Sequence, residues 1–187
     1  MSESELIRLA RQGDRDAFGQ LAARYEKPVY HQALRLVGNA QDAADVTQEV
    51  FFKAWRTLPS FRGDCALSTW LYRLTDHAAI DLLRREKKRT GTVSLDDDHQ
   101  PVSDLPRSDI SPEEQTEQRE RQQAVADALA ALSPEHRRVL VLREISGLSY
   151  DEIAQVLKLS PGTVRSRIAR ARAALADLLR KTELFSP

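Results

Sequence analysis

Arg165, Ser166, Ala169 and Arg170 stand three, four, seven and eight residues after Gly162, in a run that opens with Ser160-Pro161. On a helix that spacing gathers them on one face. Arginine reaches guanine edges or phosphates with paired donors, and the small Ser166 and Ala169 let the helix backbone approach a DNA groove closely. Arg167 and Arg172 flank the face, where they suit phosphate contact. This is recognition chemistry. Bond-making constellations are missing: the chain has no phosphate-cradling P-loop, no G-x-S-x-G elbow and no H-E-x-x-H pair, and His31, His77, His99 and His136 fall in different segments. Asp96–Asp98 with His99 come nearest to a cation cluster, but adjacent residues in a polar spacer make poor coordination geometry. Cys65 is the single cysteine, which excludes an internal disulfide or a multi-cysteine zinc site, and it reads as an incidental small residue rather than a nucleophile. The expectation is a protein that is not an enzyme and needs neither cofactor nor metal.

Two capped helices must position that face. Ser149-Tyr150-Asp151-Glu152 is a capping box for a short helix over Tyr150–Leu157, Lys158-Leu159 make a tight turn, and Ser160-Pro161 cap a longer helix to about Leu179. Ile153, Ala154, Leu157 and Leu159 can pack against Val164, Ile168 and Ala171, with the small Ala154 allowing a close crossing. Short helix, tight turn, longer helix is the helix-turn-helix plan. A solvated arginine face is the plain alternative for any Arg-rich helix; the correctly spaced, doubly capped pair argues for DNA binding. Upstream, residues 119–132 read as an amphipathic helix, and Ser133-Pro134 open another that ends near Ser146-Gly147.

The first part of the chain also reads as helices. Ser2 or Ser4 caps a segment to Gln12, and Asp14 opens a stretch carrying Phe18, Leu21, Ala22 and Tyr25, which Pro28 kinks or restarts before it runs on to Gly38. Asn39 caps a helix stopped by Pro59, and Ser68 caps the last and longest one. In the helix over 40–58, Val46, Val50, Ala54 and Trp55 form an apolar stripe opposite Asp42, Asp45, Glu49, Lys53 and Arg56. Those charges either complement the helix dipole, acids early and bases late, or form a docking face for another protein. An irregular FRGDCAL precedes the helix bearing Trp70, Tyr72, Arg73 and His77, which ends in Arg84, Arg85, Lys87, Lys88 and Arg89. Leu67, Leu71, Leu74 and Ala78 mark its buried stripe, with Trp70 bordering it as a core residue. Aromatic residues beside bases and an irregular loop also suit a surface for unstacked bases.

Composition sets the frame for both parts. The 187 residues are 41% hydrophobic and carry 28 basic and 28 acidic side chains, but the balance conceals a pattern. Residues 1–91 hold 15 bases and 12 acids, residues 92–118 one base and eight acids, and residues 119–187 twelve bases and eight acids. Two mildly basic helical domains, 1–91 and 119–187, thus flank an acidic linker, 92–118, too poor in large apolar residues to offset the entropy of ordering itself. Fully extended, that linker spans about 90 Å. The fold class expected is all-α, two small helical domains; whether they pack together in the free chain is left open. No apolar run approaches the ~18–20 residues of a membrane span, and the start MSESELIRLARQGD lacks the features of a signal peptide. The expected setting is cytoplasmic, without membrane insertion.

Four segments, GDRDAFGQLAARYEKPVY (13–30), DAADVTQEVFFKAWRTLPSFRGD (42–64), STWLYRL with AIDLLRR (68–85) and LSPEHRRVLVLREISGLSYDEIAQVLKLSPGTVRSRIARARAAL (132–175), together resemble the extracytoplasmic-function subgroup of bacterial sigma-70 RNA polymerase sigma factors. The resemblance spans nearly everything outside the linker. It implies that residues 1–91 are a region 2 domain whose Asp45, Gln48 and Glu49 match positions that dock on the coiled-coil of the largest subunit of core RNA polymerase. It implies that Arg62, Cys65, Ala66 and Leu67 in the loop, with Trp70, Arg73, His77, Arg84 and Arg85 on the following helix, read and open the −10 element of promoter DNA. Melting requires a site that binds single strand better than duplex. Residues 119–187 would be region 4, holding the −35 element through Arg165, Ser166, Ala169 and Arg170 and touching the polymerase flap. The linker would thread toward the RNA exit path. Family members usually carry asparagine where this chain has His77, so base preference there does not transfer. Many members are held inactive by a membrane-anchored anti-sigma factor, and such a partner is implied here too. The alternative is a helix-turn-helix regulator whose first domain senses a signal or dimerises; it would bind duplex operators without polymerase.

Overall fold

The computed structural model describes residues 1–90 and 112–182. The expected linker therefore lies outside the described residues as far as residue 111, as does the Asp96–His99 cluster. Eight α-helices follow one another, α1 (Glu3–Arg11), α2 (Arg15–Val37), α3 (Ala40–Thr57), α4 (Leu67–Thr90), α5 (Pro112–Ala131), α6 (Pro134–Leu140), α7 (Tyr150–Leu157) and α8 (Pro161–Arg180), and no strand occurs among the described residues.

Side-chain caps open most of these helices. Asp14 accepts from the Ala17 N–H at 3.0 Å and Asn39 from the Asp42 N–H at 2.9 Å, each satisfying a donor that the first turn leaves free. Gly38 ends α2 in the left-handed conformation at φ 94°, which glycine adopts without steric cost. Two boundaries differ from the sequence-based expectation in the first half. Of the two outcomes expected at Pro28, a restart does not occur, because α2 runs through it. Glu26, Lys27 and Pro28 lie on the exposed side, where water can satisfy the Arg24 carbonyl that proline leaves without an N–H. Ser68 is not the cap of α4: the helix begins one residue earlier, and the Ala66 carbonyl accepts the first bond from the Trp70 N–H at 3.1 Å.

Helices α1 to α4 enclose a first apolar core around Leu6, Val29, Leu36, Val46, Val50 and Leu58. The stripe expected on α4, Leu67, Leu71, Leu74 and Ala78, is buried in it. Thr47 and Thr75, also buried, donate to the carbonyls of Ala43 and Leu71 one turn earlier, which removes the penalty of an unpaired hydroxyl.

The second core gathers Leu129, Leu132, Leu140, Leu142, Ile153, Val156, Val164 and Ile168. Helix α5 starts at Pro112 rather than at 119. The sequence offers a proline there, and proline suits the first helical position. Helix α6 continues without a break into a π-helical turn, Val141–Ile145, that ends at Ser146.

The two cores meet along a seam. Tyr72 of α4 packs into the second core, and Val141 from the turn after α6 packs into the first. Side chains bond across it as well. Arg138 donates to both oxygens of Asp76, at 2.8 and 2.5 Å, and Thr69 donates to Glu152 at 2.6 Å. Arg137 donates to the Leu36 carbonyl at 3.0 Å, to the Leu129 carbonyl at 2.9 Å and to the Ala130 carbonyl. One guanidinium thus closes the C-terminal ends of α2 and α5, where unsatisfied carbonyls and the negative end of the dipole favour a cation.

Candidate nucleic-acid interface and docking face

The helix pair α7–α8 is built as its capping pattern demands. Ser149 Oγ accepts from the Glu152 N–H at 3.3 Å while Glu152 accepts from the Ser149 N–H at 2.9 Å, so the capping box is closed in both directions. Lys158 takes the left-handed conformation at φ 55° and makes the turn, and Ser160 accepts from the Thr163 N–H at 3.2 Å to start α8. Ile153, Ala154, Val164, Ile168 and Ala171 are buried between the two helices, and Leu157 and Leu159 partly so. Burying Ile153 and Ile168 contributes roughly 1.5–3 kcal/mol each, enough to fix the crossing. Val156, absent from the sequence-derived packing set, is also buried.

The opposite face of α8 carries Arg165, Ala169 and Arg170 exposed and Ser166 half-buried. Ser166 Oγ donates to the Thr163 carbonyl at 3.0 Å. Among the described residues, neither Arg165 nor Arg170 has a carboxylate within ion-pair distance. The flanking arginines do: Arg167 lies 3.1 Å from Glu135, and Arg172 donates to Glu144 at 3.0 and 2.6 Å. The four-residue face is thus split into two unpaired guanidiniums separated by small side chains, with two tethered arginines at its edges.

On α3, Asp45, Gln48 and Glu49 are all exposed and share one face. In the middle of that face stands Phe52, 63% exposed, with the Arg56 guanidinium 5.6 Å from its ring centre. Sequence reasoning left Phe52 out. The signal was the adjacent pair Phe51-Phe52, because neighbours on a helix point about 100° apart and one core stripe cannot hold both. Phe51 packs against the first core. Arg85 approaches Glu49 to 3.8 Å, which brings the end of α4 beside this face.

The residues expected around the loop and α4 divide by burial. Arg62, Ala66, Arg84 and Arg85 are exposed, and Cys65, Arg73 and His77 are half-buried. Leu67 and Trp70 are core: they are 4% and 7% exposed, and the Trp70 ring packs 5.1 Å from Phe61. In this arrangement they support the loop from beneath and offer no edge to a base. Burial pushes the Cys65 thiol up from its ordinary value. Burial also lowers His77; Asp76 opposes the shift, whereas Lys53, Arg138 and Arg73 add to it. A neutral imidazole can donate at one nitrogen and accept at the other. The neighbouring Asp76 and Thr69 went unnoticed in the sequence, where Tyr72 was named only beside Trp70; all three are buried at the seam.

Two family models match these two units. One described as Sigma-70 region 2 covers residues 21–89, and one described as Sigma-70, region 4 covers residues 122–175. The chain is 38% identical over 180 residues to the RNA polymerase sigma-H factor of Pseudomonas aeruginosa, an alignment that takes in 95% of this chain and 93% of that protein. It is likewise 38% identical over 178 residues to the ECF RNA polymerase sigma-E factor of Escherichia coli, with 94% of this chain and 93% of that protein aligned. Among solved structures, that of CnrH in complex with the cytosolic domain of CnrY matches with a TM-score of 0.68 at 32% identity, over 93% of this chain and 94% of that one. No described helix is long and apolar enough to cross a membrane.

Proposed function

The chain belongs to the extracytoplasmic-function group of the sigma-70 family, transcription initiation factors that direct RNA polymerase to promoters, and from that premise we propose how its residues divide the task. The first domain, 1–91, docks on core polymerase through Asp45, Gln48 and Glu49 and engages the −10 element. The second, 119–187, holds the −35 element with α8. The acidic segment between them tethers the two.

The observation that carries this division is the pair of exposed polar faces on helices built quite differently. The α8 face is cationic, with two unpaired arginines separated by small residues, which suits a DNA groove. The α3 face is acidic around an exposed aromatic, which suits a basic protein surface. Charged rims steer and orient, while a central aromatic supplies most of the binding energy. Phe52 therefore joins the proposed docking set.

At the −10 element, Arg62, Cys65 and Ala66 in the loop, with Arg73 and His77 on α4, form the surface for an unpaired strand. Leu67 and Trp70 stiffen that surface from the core side. Arg84 and Arg85 supply phosphate contacts farther along. At the −35 element, Arg165 and Arg170 read base edges, Ser166 and Ala169 permit the close approach, and Arg167 and Arg172 orient the helix through phosphates once released from Glu135 and Glu144. The relative CnrH is solved with the cytosolic domain of CnrY, and an anti-sigma factor is proposed as a further partner of this chain. A cytoplasmic setting belongs to the same proposal.

Co-purification with core polymerase tests the docking half directly. The wild-type chain is expected to elute with core enzyme, and Glu49→Lys to elute apart from it while its isolated −35 duplex binding persists. Equal retention of both chains by core enzyme would overturn the assignment of α3.

A further inference from the structure

We propose that Asp76 and Arg138 form an ionic latch that holds the two helical units closed in the free chain, covering the Thr69–Tyr72–Asp76 edge of α4 until a partner parts them. Asp76 on α4 is fully buried, and Arg138 comes from 62 residues away to meet both of its oxygens at 2.8 and 2.5 Å. The fork gives a buried carboxylate its partner, and a buried charge left without one costs several kcal/mol. Closed and paired, or open and hydrated, are the two states available to it.

Three features argue for a seam made to separate. The pair is flanked by other polar bonds, Thr69 to Glu152 at 2.6 Å and Arg137 to the Leu36 carbonyl at 3.0 Å, each of which water can replace. The apolar exchange is small, Tyr72 in one direction and Val141 in the other, and limited polar interfaces between domains permit relative motion. Behind Tyr72, the residue that crosses into the second core, Gln32 donates to the Tyr72 carbonyl at 3.0 Å while its own buried side-chain carbonyl has no partner, so the packing there is not fully satisfied. A buried ion pair gains little over separated, hydrated charges while still fixing one geometry. That combination gives a specific and reversible closure.

The closure acts unequally on the two proposed DNA surfaces. Arg165, Ala169 and Arg170 remain exposed in the closed form, whereas the covered edge lies on the helix that carries Arg73 and His77. The functional consequence, suppressed −10 strand binding by the free chain, rests on assigning α4 to the −10 element.

Full-length chain with Cys65→Ser, labelled at Glu26→Cys and Ala173→Cys, reports the separation of the units by single-molecule energy transfer. The parent chain is expected to give one compact population. Arg138→Gln and Asp76→Asn, each with helical circular dichroism unchanged, should raise the open-to-closed ratio at least about tenfold. The double variant, which leaves no unpaired charge, should recover much of the closure. If Asp76→Asn loses helix content, Arg138→Gln carries the test, since its side chain is 26% exposed. Identical distance distributions for parent and Arg138→Gln overturn the latch, as does a double variant opened by the full product of the single effects. Binding of a single-stranded −10 oligonucleotide is measured on the same samples. Opening with about tenfold tighter binding supports both the latch and the assignment of α4. Opening with unchanged strand affinity supports the latch and overturns that assignment.

Discussion

Individual side chains carry the sharpest expectations. Arg165 is exposed and unpaired on the outer face of α8, so Arg165→Ala should cost about 1–3 kcal/mol of discrimination between cognate and scrambled −35 duplexes. Titration of both duplexes at one salt concentration checks it, and an unchanged ratio would remove Arg165 from base reading. Phe52→Ala should weaken association with core polymerase by about 1–2 kcal/mol without lowering the melting temperature, because its ring is 63% exposed and contributes little to folding. His77 makes a prediction in pH. Its native value is lowered mainly by burial, so the folded chain favours the neutral ring. Stability from this group is fully present above the unfolded value of 6.5, and falls as pH drops from there through the lowered native value, since the unfolded state takes up the proton first. Urea midpoints measured from pH 8 to 5 should show that decline, and His77→Asn should remove it. Glu152, whose native value is lowered mainly by the Thr69 hydrogen bond, adds a loss only at more acidic pH, in the carboxylate range. A decline near neutrality that survives in His77→Asn would assign it elsewhere.

Helices and turns were the most legible level of the sequence, because caps and apolar periodicity act within a few residues. The box at Ser149 and Glu152, the cap at Ser160 and the stripe Leu67, Leu71, Leu74 and Ala78 were all readable from spacing, and all appear in the fold. Misreadings arose where a local rule was overridden by surroundings. Pro28 is carried inside α2 because its side of the helix faces water, and the rule about helix breaking assumes a carbonyl with no alternative partner. Ser68 resembles a cap, but the backbone enters α4 one residue earlier so that Leu67 can reach the core. The start of α5 was set too late because the acidic, proline-bearing composition of the linker hid a helix that opens at Pro112. Ser149→Ala tests the box at this scale: it should cost about 1 kcal/mol, visible in chemical denaturation. Because Glu152 also accepts from Thr69 across the seam, Glu152→Gln should cost more than Ser149→Ala. Equal costs would mean that the contact between the units adds nothing.

At the scale of the whole molecule, little was legible beforehand. Two helical units could be inferred from the charge pattern, but their contact joins residues 62, 83 and 101 positions apart, and such pairs leave no periodic trace in a single sequence. Asp76 within a buried stripe was the one local sign that a partner had to come from elsewhere. The candidate site followed the same division: the α8 face was legible because one helix contains it, whereas the burial of Leu67 and Trp70 and the centre of the α3 face depended on packing. The functional account requires both units to act together on one promoter after joining polymerase. Run-off transcription with purified core enzyme, on a template carrying the matched −10 and −35 elements and on one with both scrambled, tests this most directly. A transcript of defined start, formed only with this protein and only on the matched template, is the outcome the account predicts. The same products with and without the protein would contradict it.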